Sequence, residues 1–207
     1  MLQPPDYLLF AQHGWADTSV TMRTLANRLQ ITNTVVITPN LGFYRTWWRM
    51  PPLIKKVSAI AQNYLEKFPT VPIRIIGHSM GGLIWLEILN EHPEWWHRID
   101  SLVLIASPIQ GAELARIIDP FGLGIGVAKD LALNRQPLAE TIAQTIPTLS
   151  IASNYLLGTD GTISVRSTQF QHAEWVCVSG ISHADLRIAP PVITNIRQFW
   201  NLAPKIK

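Results

Sequence analysis

Six consecutive residues, Gly77-His78-Ser79-Met80-Gly81-Gly82, hold a serine in a setting that can make its hydroxyl a nucleophile. An apolar run, Pro72 to Ile76, leads into them, and a second, Leu83 to Leu89, leads out. G-x-S-x-G between such runs predicts a strand, a very tight turn and a helix that leaves at once. The serine backbone is then strained, so Gly77 and Gly81, two positions before and two after, must lack side chains to avoid clashing. The turn lifts the Ser79 hydroxyl above the sheet edge. It also leaves the Met80 amide at a helix start, aimed at the place where an oxyanion would form.

A serine hydroxyl is a poor nucleophile until a base removes its proton and an acid orients that base. Six histidines compete for the role of base. His13 ends the first apolar run, and His78 is locked in the elbow with its side chain forced away from Ser79. His92, His97 and His172 lie in stretches that read as exposed or connecting. His183 follows the last strand-like run, in the loop Gly180 to His183, and is the expected base. For the acid, Asp160 lies just beyond the fifth strand, in Leu157 to Gly161, although Thr-Asp-Gly is also ordinary turn chemistry. Asp185 is its rival, but two residues from His183 it would have to curl back along its own chain. Asp119 and Asp130 lack a strand end to hold them rigid.

These residues need a scaffold that gathers strand ends, and short β-rich runs alternating with helical patterns predict one: a parallel sheet covered on both faces. Strands are expected at Tyr7 to Ala11, Thr34 to Thr38, Pro72 to Ile76, Asp100 to Ala106, Thr148 to Ser153 and Trp175 to Ser179. Helices are expected at Thr18 to Leu29, near Pro52 to Phe68, after the elbow, and near Pro191 to Leu202. The helix after the elbow is apolar on nearly all sides and should be deeply buried. The fold class is therefore α/β, a three-layer sandwich with a mostly parallel sheet of about six strands, in one domain spanning residues 1–207. The segment at about 108–147 is longer than such a unit requires. It is expected to be a lid or cap, with a structural helical excursion as the alternative. Its glycine-rich stretch, Phe121 to Gly126, has no preceding strand and is discounted as a dinucleotide site.

Hydrophobic residues make up 47% of the 207 and charged ones 15%, which excludes a disordered chain. The net charge of +3 comes from dispersed Lys and Arg, so no nucleic-acid footprint is expected. The single cysteine, Cys177, excludes an internal disulfide and reads as a buried structural thiol. No secretory signal and no membrane helix is legible, so a cytoplasmic protein without an integral membrane segment is expected. Paired tryptophans, Trp47-Trp48 and Trp95-Trp96, hint at apolar surface near a binding face, with core filling as the alternative.

With the residues in place, the chain resembles a small α/β-hydrolase of the lipase/esterase type, close to bacterial triacylglycerol lipases. Gly77 to Gly82 is similar to that family's G-H-S-M-G-G elbow residue for residue. His13-Gly14-Trp15 resembles its H-G-x, Ser107 to Gly111 its T-P-x-x-G, Asp160 to Ile163 its D-G-x-V, and Gly180 to His183 its G-x-x-H. The resemblance implies Ser79, Asp160 and His183 as catalytic residues and the amides of Trp15 and Met80 as the oxyanion hole. It implies a carboxylic ester hydrolase that works through an acyl-enzyme with no metal or cofactor. A thioesterase or acyltransferase uses identical residues, and a hydrolase-fold binding protein without turnover is a third possibility. The expected partner is a small, apolar acyl ester, bound against Trp15, Trp47 and Phe121 beneath a cover formed by Ala112 to Leu133.

Overall fold

Side-chain alternation along the strands explains the layers. In a computed structural model, which describes residues 4–29, 31–111 and 126–202, β1 (Tyr7–Gln12) sends Leu8 and Phe10 into one core and Leu9 and Ala11 into the other. This is the two-residue period of a pleated strand buried on both faces. β4 (Ile99–Ile105) divides Leu102 and Leu104 from Val103 and Ile105 in the same way. With β2 (Thr34–Ile37), β3 (Ile73–His78), β5 (Thr148–Asn154) and β6 (Glu174–Ser179), they form a six-stranded sheet in the order β2-β1-β3-β4-β5-β6. Every pairing is parallel, so the sheet is parallel throughout rather than mostly so.

Helices α1 (Ser19–Leu29) and α6 (Pro190–Phe199) bury Met22, Leu25, Val192 and Ile196 on one face. Helices α2 (Met50–Lys67) and α3 (Met80–Glu91) cover the other. The two differ as their sequences demand. α2 is amphipathic and buries a stripe that includes Leu53, Val57 and Ala61. α3 is apolar on nearly all sides, and every residue from Met80 to Leu86 is buried. α2 starts two residues earlier than the periodicity suggests, because Pro51 and Pro52 fit the first helical turn, where no amide hydrogen bond is needed.

The segment expected to be a lid is partly fastened to the body. α4 (Val127–Leu131) carries buried Asp130, which accepts two hydrogen bonds from Arg49, at 2.8 and 2.7 Å, and one from the Met50 amide at 2.7 Å. Burial alone would raise the Asp130 carboxyl, but these hydrogen bonds outweigh it and hold it below its ordinary range. α5 (Gln136–Ala143) buries Ala139 and Ile142 in the α2/α3 core. Residues 112–125, and with them Phe121 and Asp119, lie outside the described residues.

Cys177 corrects an expectation. It is half-buried rather than buried, because β6 is an edge strand with a neighbour on one side only. Partial burial pushes its thiol up. No helix among the described residues is long and apolar enough to cross a membrane.

Candidate active site

β3 lies inside the sheet and delivers Ser79 at its carboxyl end with φ 55° and ψ −126°, a left-handed conformation that ordinary side chains avoid. What holds it there is exclusion by its neighbours. A Cβ on Gly77 would stand 2.4 Å from the Gly82 Cα, and one on Gly81 would stand 2.4 Å from the Gln12 carbonyl oxygen. Both glycines expected from the motif are therefore obligatory. Gly82 is crowded by side chains instead, since its Cβ would meet the Ser107 hydroxyl at 2.1 Å. The Ser79 amide donates to the Ile105 carbonyl at 2.8 Å, tying the turn to β4.

The loop after β1 presses against the same turn. A Cβ on Gly14 would lie 3.0 Å from the Ser79 Cβ and 3.1 Å from the Met80 nitrogen. The chain therefore enters Trp15 alongside the Met80 amide. His13 holds this loop: its Nδ1–H donates to the Gly14 carbonyl at 2.9 Å, and its Nε2 accepts from the Leu41 amide at 3.0 Å. Those partners require the neutral ring, and burial lowers its proton affinity accordingly. Trp15 is partly buried, with its ring 4.4 Å from that of Trp47, centroid to centroid.

At the β5–β6 side of the edge, Asp160 and His183 meet. The His183 Nδ1–H donates to Asp160 Oδ2 at 2.7 Å, and the His183 amide donates to the Asp160 carbonyl at 2.9 Å. The other carboxylate oxygen, Oδ1, accepts from the Thr162 and Ile163 amides at 2.9 and 2.6 Å. The Thr-Asp-Gly turn and the acid are thus one device, with the turn amides aiming the carboxylate. Asp160 is almost wholly buried, whereas the His183 side chain keeps 18% of its surface open. Asp185 faces away from this role: its Oδ2 accepts from Ser182 Oγ at 2.5 Å within its own turn.

Ser79 and His183 are not hydrogen-bonded to each other, and among the described residues the Ser79 hydroxyl has no hydrogen bond. Such contacts are commonly long without substrate and tighten when it binds.

One residue at this edge escaped the sequence reading of its role. His78 sends its side chain to His183: its Nε2–H donates to the His183 carbonyl at 3.1 Å, and the two rings lie 4.6 Å apart, centroid to centroid. Burial, then the nearness of His183 and Arg187, keeps His78 neutral, with its proton affinity well below the ordinary value. Its place before Ser79 was visible, but where the ring would land was not.

A family model described as serine aminopeptidase S33 matches residues 3–171. No curated protein matches the chain in sequence. Among solved structures, the chain is similar to Est1E from Butyrivibrio proteoclasticus with ferulic acid bound, at TM-score 0.73 and 14% identity over 96% of this chain and 90% of that one. It is also similar to the Bacillus licheniformis lipase BlEst2 in its mature form, at TM-score 0.66 and 15% identity over 93% and 91%. A third likeness is to the RedJ thioesterase of the prodiginine pathway of Streptomyces coelicolor, at TM-score 0.60 and 16% identity over 97% and 93%. At these identities the likeness is one of fold.

Proposed function

Because the chain belongs to the serine aminopeptidase S33 family, whose members are α/β-fold serine hydrolases, we propose that it cleaves carboxylic esters through an acyl-enzyme formed on Ser79. The observation that carries this reading is the Asp160–His183 pair, which shares a sheet edge with a serine held at positive φ. Ser79 Oγ attacks the acyl carbon while His183 Nε2 takes its proton. Asp160 keeps the proton on Nδ1 and stabilises the imidazolium that forms. The Met80 and Trp15 amides hold the oxyanion, a role supported by the close approach of Gly14 to the Met80 nitrogen. Collapse breaks the ester bond, and the leaving alkoxide takes the proton from His183. Water, deprotonated by His183, then attacks the acyl-enzyme and frees the carboxylic acid and Ser79.

An ester suits the site better than a peptide amino terminus. Binding a free α-amino group calls for an uncommitted carboxylate. Among the described residues, three carboxylates in the loops of this edge are engaged: Asp17 by Arg187, Asp160 by His183 and Asp185 by Ser182. Trp15 and Trp47 offer aromatic walls for an apolar acyl group.

The test is a panel of p-nitrophenyl esters of rising chain length, with acyl-CoA thioesters and aminoacyl anilides alongside. Activity on the esters should climb by up to roughly fourfold per methylene in kcat/KM while the chain is being buried. Ser79→Ala should lose at least about a thousandfold while remaining folded. Preference for acyl-CoA would turn the reading to a thioesterase, preference for the anilides to a peptidase. Ester hydrolysis by Ser79→Ala within tenfold of the parent would falsify the nucleophile.

A further inference from the structure

The 3-10 turn Phe43–Trp47 and the two residues after it display almost all their side chains outward. Phe43 is 43% exposed, Tyr44 81%, Trp47 45% and Trp48 72%, with exposed Arg45 and Arg49 interleaved. Thr46 alone is buried, and it pins the turn: its hydroxyl accepts from the Ala16 amide at 3.0 Å and donates to the Phe43 carbonyl at 2.6 Å. The display is built into an anchored turn. Two aromatic pairs that keep this much surface in water are costly, whereas tryptophan and tyrosine, each with an apolar body and a polar tip, suit the boundary between water and hydrocarbon.

Basic residues gather at the turn: Arg45 lies in it, Arg49 follows it, and Lys56 of α2 faces the cleft beside it. That cleft, of about 560 Å³, is lined by Arg45, Trp48, Arg49, Pro52, Leu53 and Lys56. Arg49 is balanced by Asp130, but among the described residues no carboxylate pairs with Arg45 or Lys56. Lys56 donates instead to the Asn40 carbonyl at 2.6 Å.

We propose that this turn docks the protein onto an anionic lipid surface, with Tyr44 and Trp48 entering the boundary between headgroups and acyl chains and Arg45 and Lys56 meeting lipid phosphates. Charge complementarity selects the anionic surface, and the clustering of the aromatics selects a lipid over a nucleic acid. Single-stranded nucleic acids are bound by aromatics spaced along a basic groove, not by four neighbours on one short turn. The contact between Trp47 and Trp15 then sets the elbow's edge of the sheet close to the membrane. This docking is independent of any turnover at Ser79.

The test is flotation of the full chain, and of Ser79→Ala, with phosphatidylcholine vesicles made with or without phosphatidylglycerol. Both proteins should float only with the anionic vesicles and be released by high salt. Arg45→Gln should weaken binding about fivefold. Tyr44→Ser combined with Trp48→Ser should weaken it on the order of tenfold or more. In the unmodified protein, anionic vesicles with brominated acyl chains should quench tryptophan fluorescence, a readout that does not depend on any variant folding. Absence of flotation with anionic vesicles, absence of quenching, or equal flotation of the folded double variant would overturn the proposal. Capture by oligothymidylate with no vesicle binding would overturn it in favour of a nucleic-acid surface.

Discussion

The elbow around Ser79 and the loops that carry Asp160 and His183 lie at one edge of the same sheet, yet opposite means hold them. The elbow is held by exclusion: Gly77, Gly81 and Gly82 each abut atoms closer than any Cβ tolerates, and Ser79 is only 4% exposed. The loops that carry Asp160 and His183 are held by directed hydrogen bonds, four of them to Asp160 carboxylate or carbonyl oxygens. Their glycines are free of crowding, for a Cβ on Gly158 or Gly180 would meet nothing within 4 Å. A site held by volume fails through stability when altered. One held by hydrogen bonds fails through chemistry, because a misaimed imidazole costs little folding energy and much rate.

That contrast can be broken in several ways. The largest expected effect is on the hydrogen-bonded side: Asp160→Asn should lower kcat by about ten-thousandfold, because the amide favours the wrong tautomer of His183. Its partner Asp185→Asn should stay within about threefold of the parent, since Asp185 serves only the Ser182 turn. Steady-state rates on one activated ester check both, and equal losses would erase the distinction drawn between the two acids.

On the excluded-volume side, Gly81→Ala should cost about 3 kcal/mol or more in urea denaturation, because the Gln12 and His13 carbonyls that it strikes belong to β1 and its end. Gly180→Ala, with open space but φ at +72°, should cost only about 1 kcal/mol, from backbone strain alone. Similar costs at both positions would show that strain, not crowding, dominates at the elbow.

A smaller effect belongs to the histidines that join the two regions. Burial depresses the proton affinity of both His78 and His13 below the ordinary histidine value of about 6.5. The unfolded chain therefore binds protons that the folded one refuses. Stability is complete above about pH 6.5, falls as the pH drops from there toward the depressed folded values, by up to about 1.4 kcal/mol per pH unit for each ring, and levels off below them. Denaturation midpoints measured from neutral to mildly acidic pH in the parent and in His78→Asn should show a shallower fall in the variant. Parallel falls would mean that His78 takes up its proton without resistance.

Much of this protein was decided close to each residue and was readable there. Gly77, Ser79 and Gly81 mark the elbow because steric exclusion acts over two residues. The strands and helices were legible because the periods of two and 3.6 are local properties, and His183 could be singled out because it follows the last strand. Tertiary structure decided the rest. The sequence favoured Asp160 over Asp185 for His183, but only the folded chain aims it: parallel β5 and β6 deliver their loops to one edge, and the turn amides of Thr162 and Ile163 hold the carboxylate. The fold carried the His78 ring to His183, 105 positions apart, and Asp130 to the start of α2, 80 positions apart. It made β6 an edge strand and so left Cys177 half-covered. Each of these depends on strand order and on hydrogen bonds between distant residues, and periodicity and motif spacing carry no record of either.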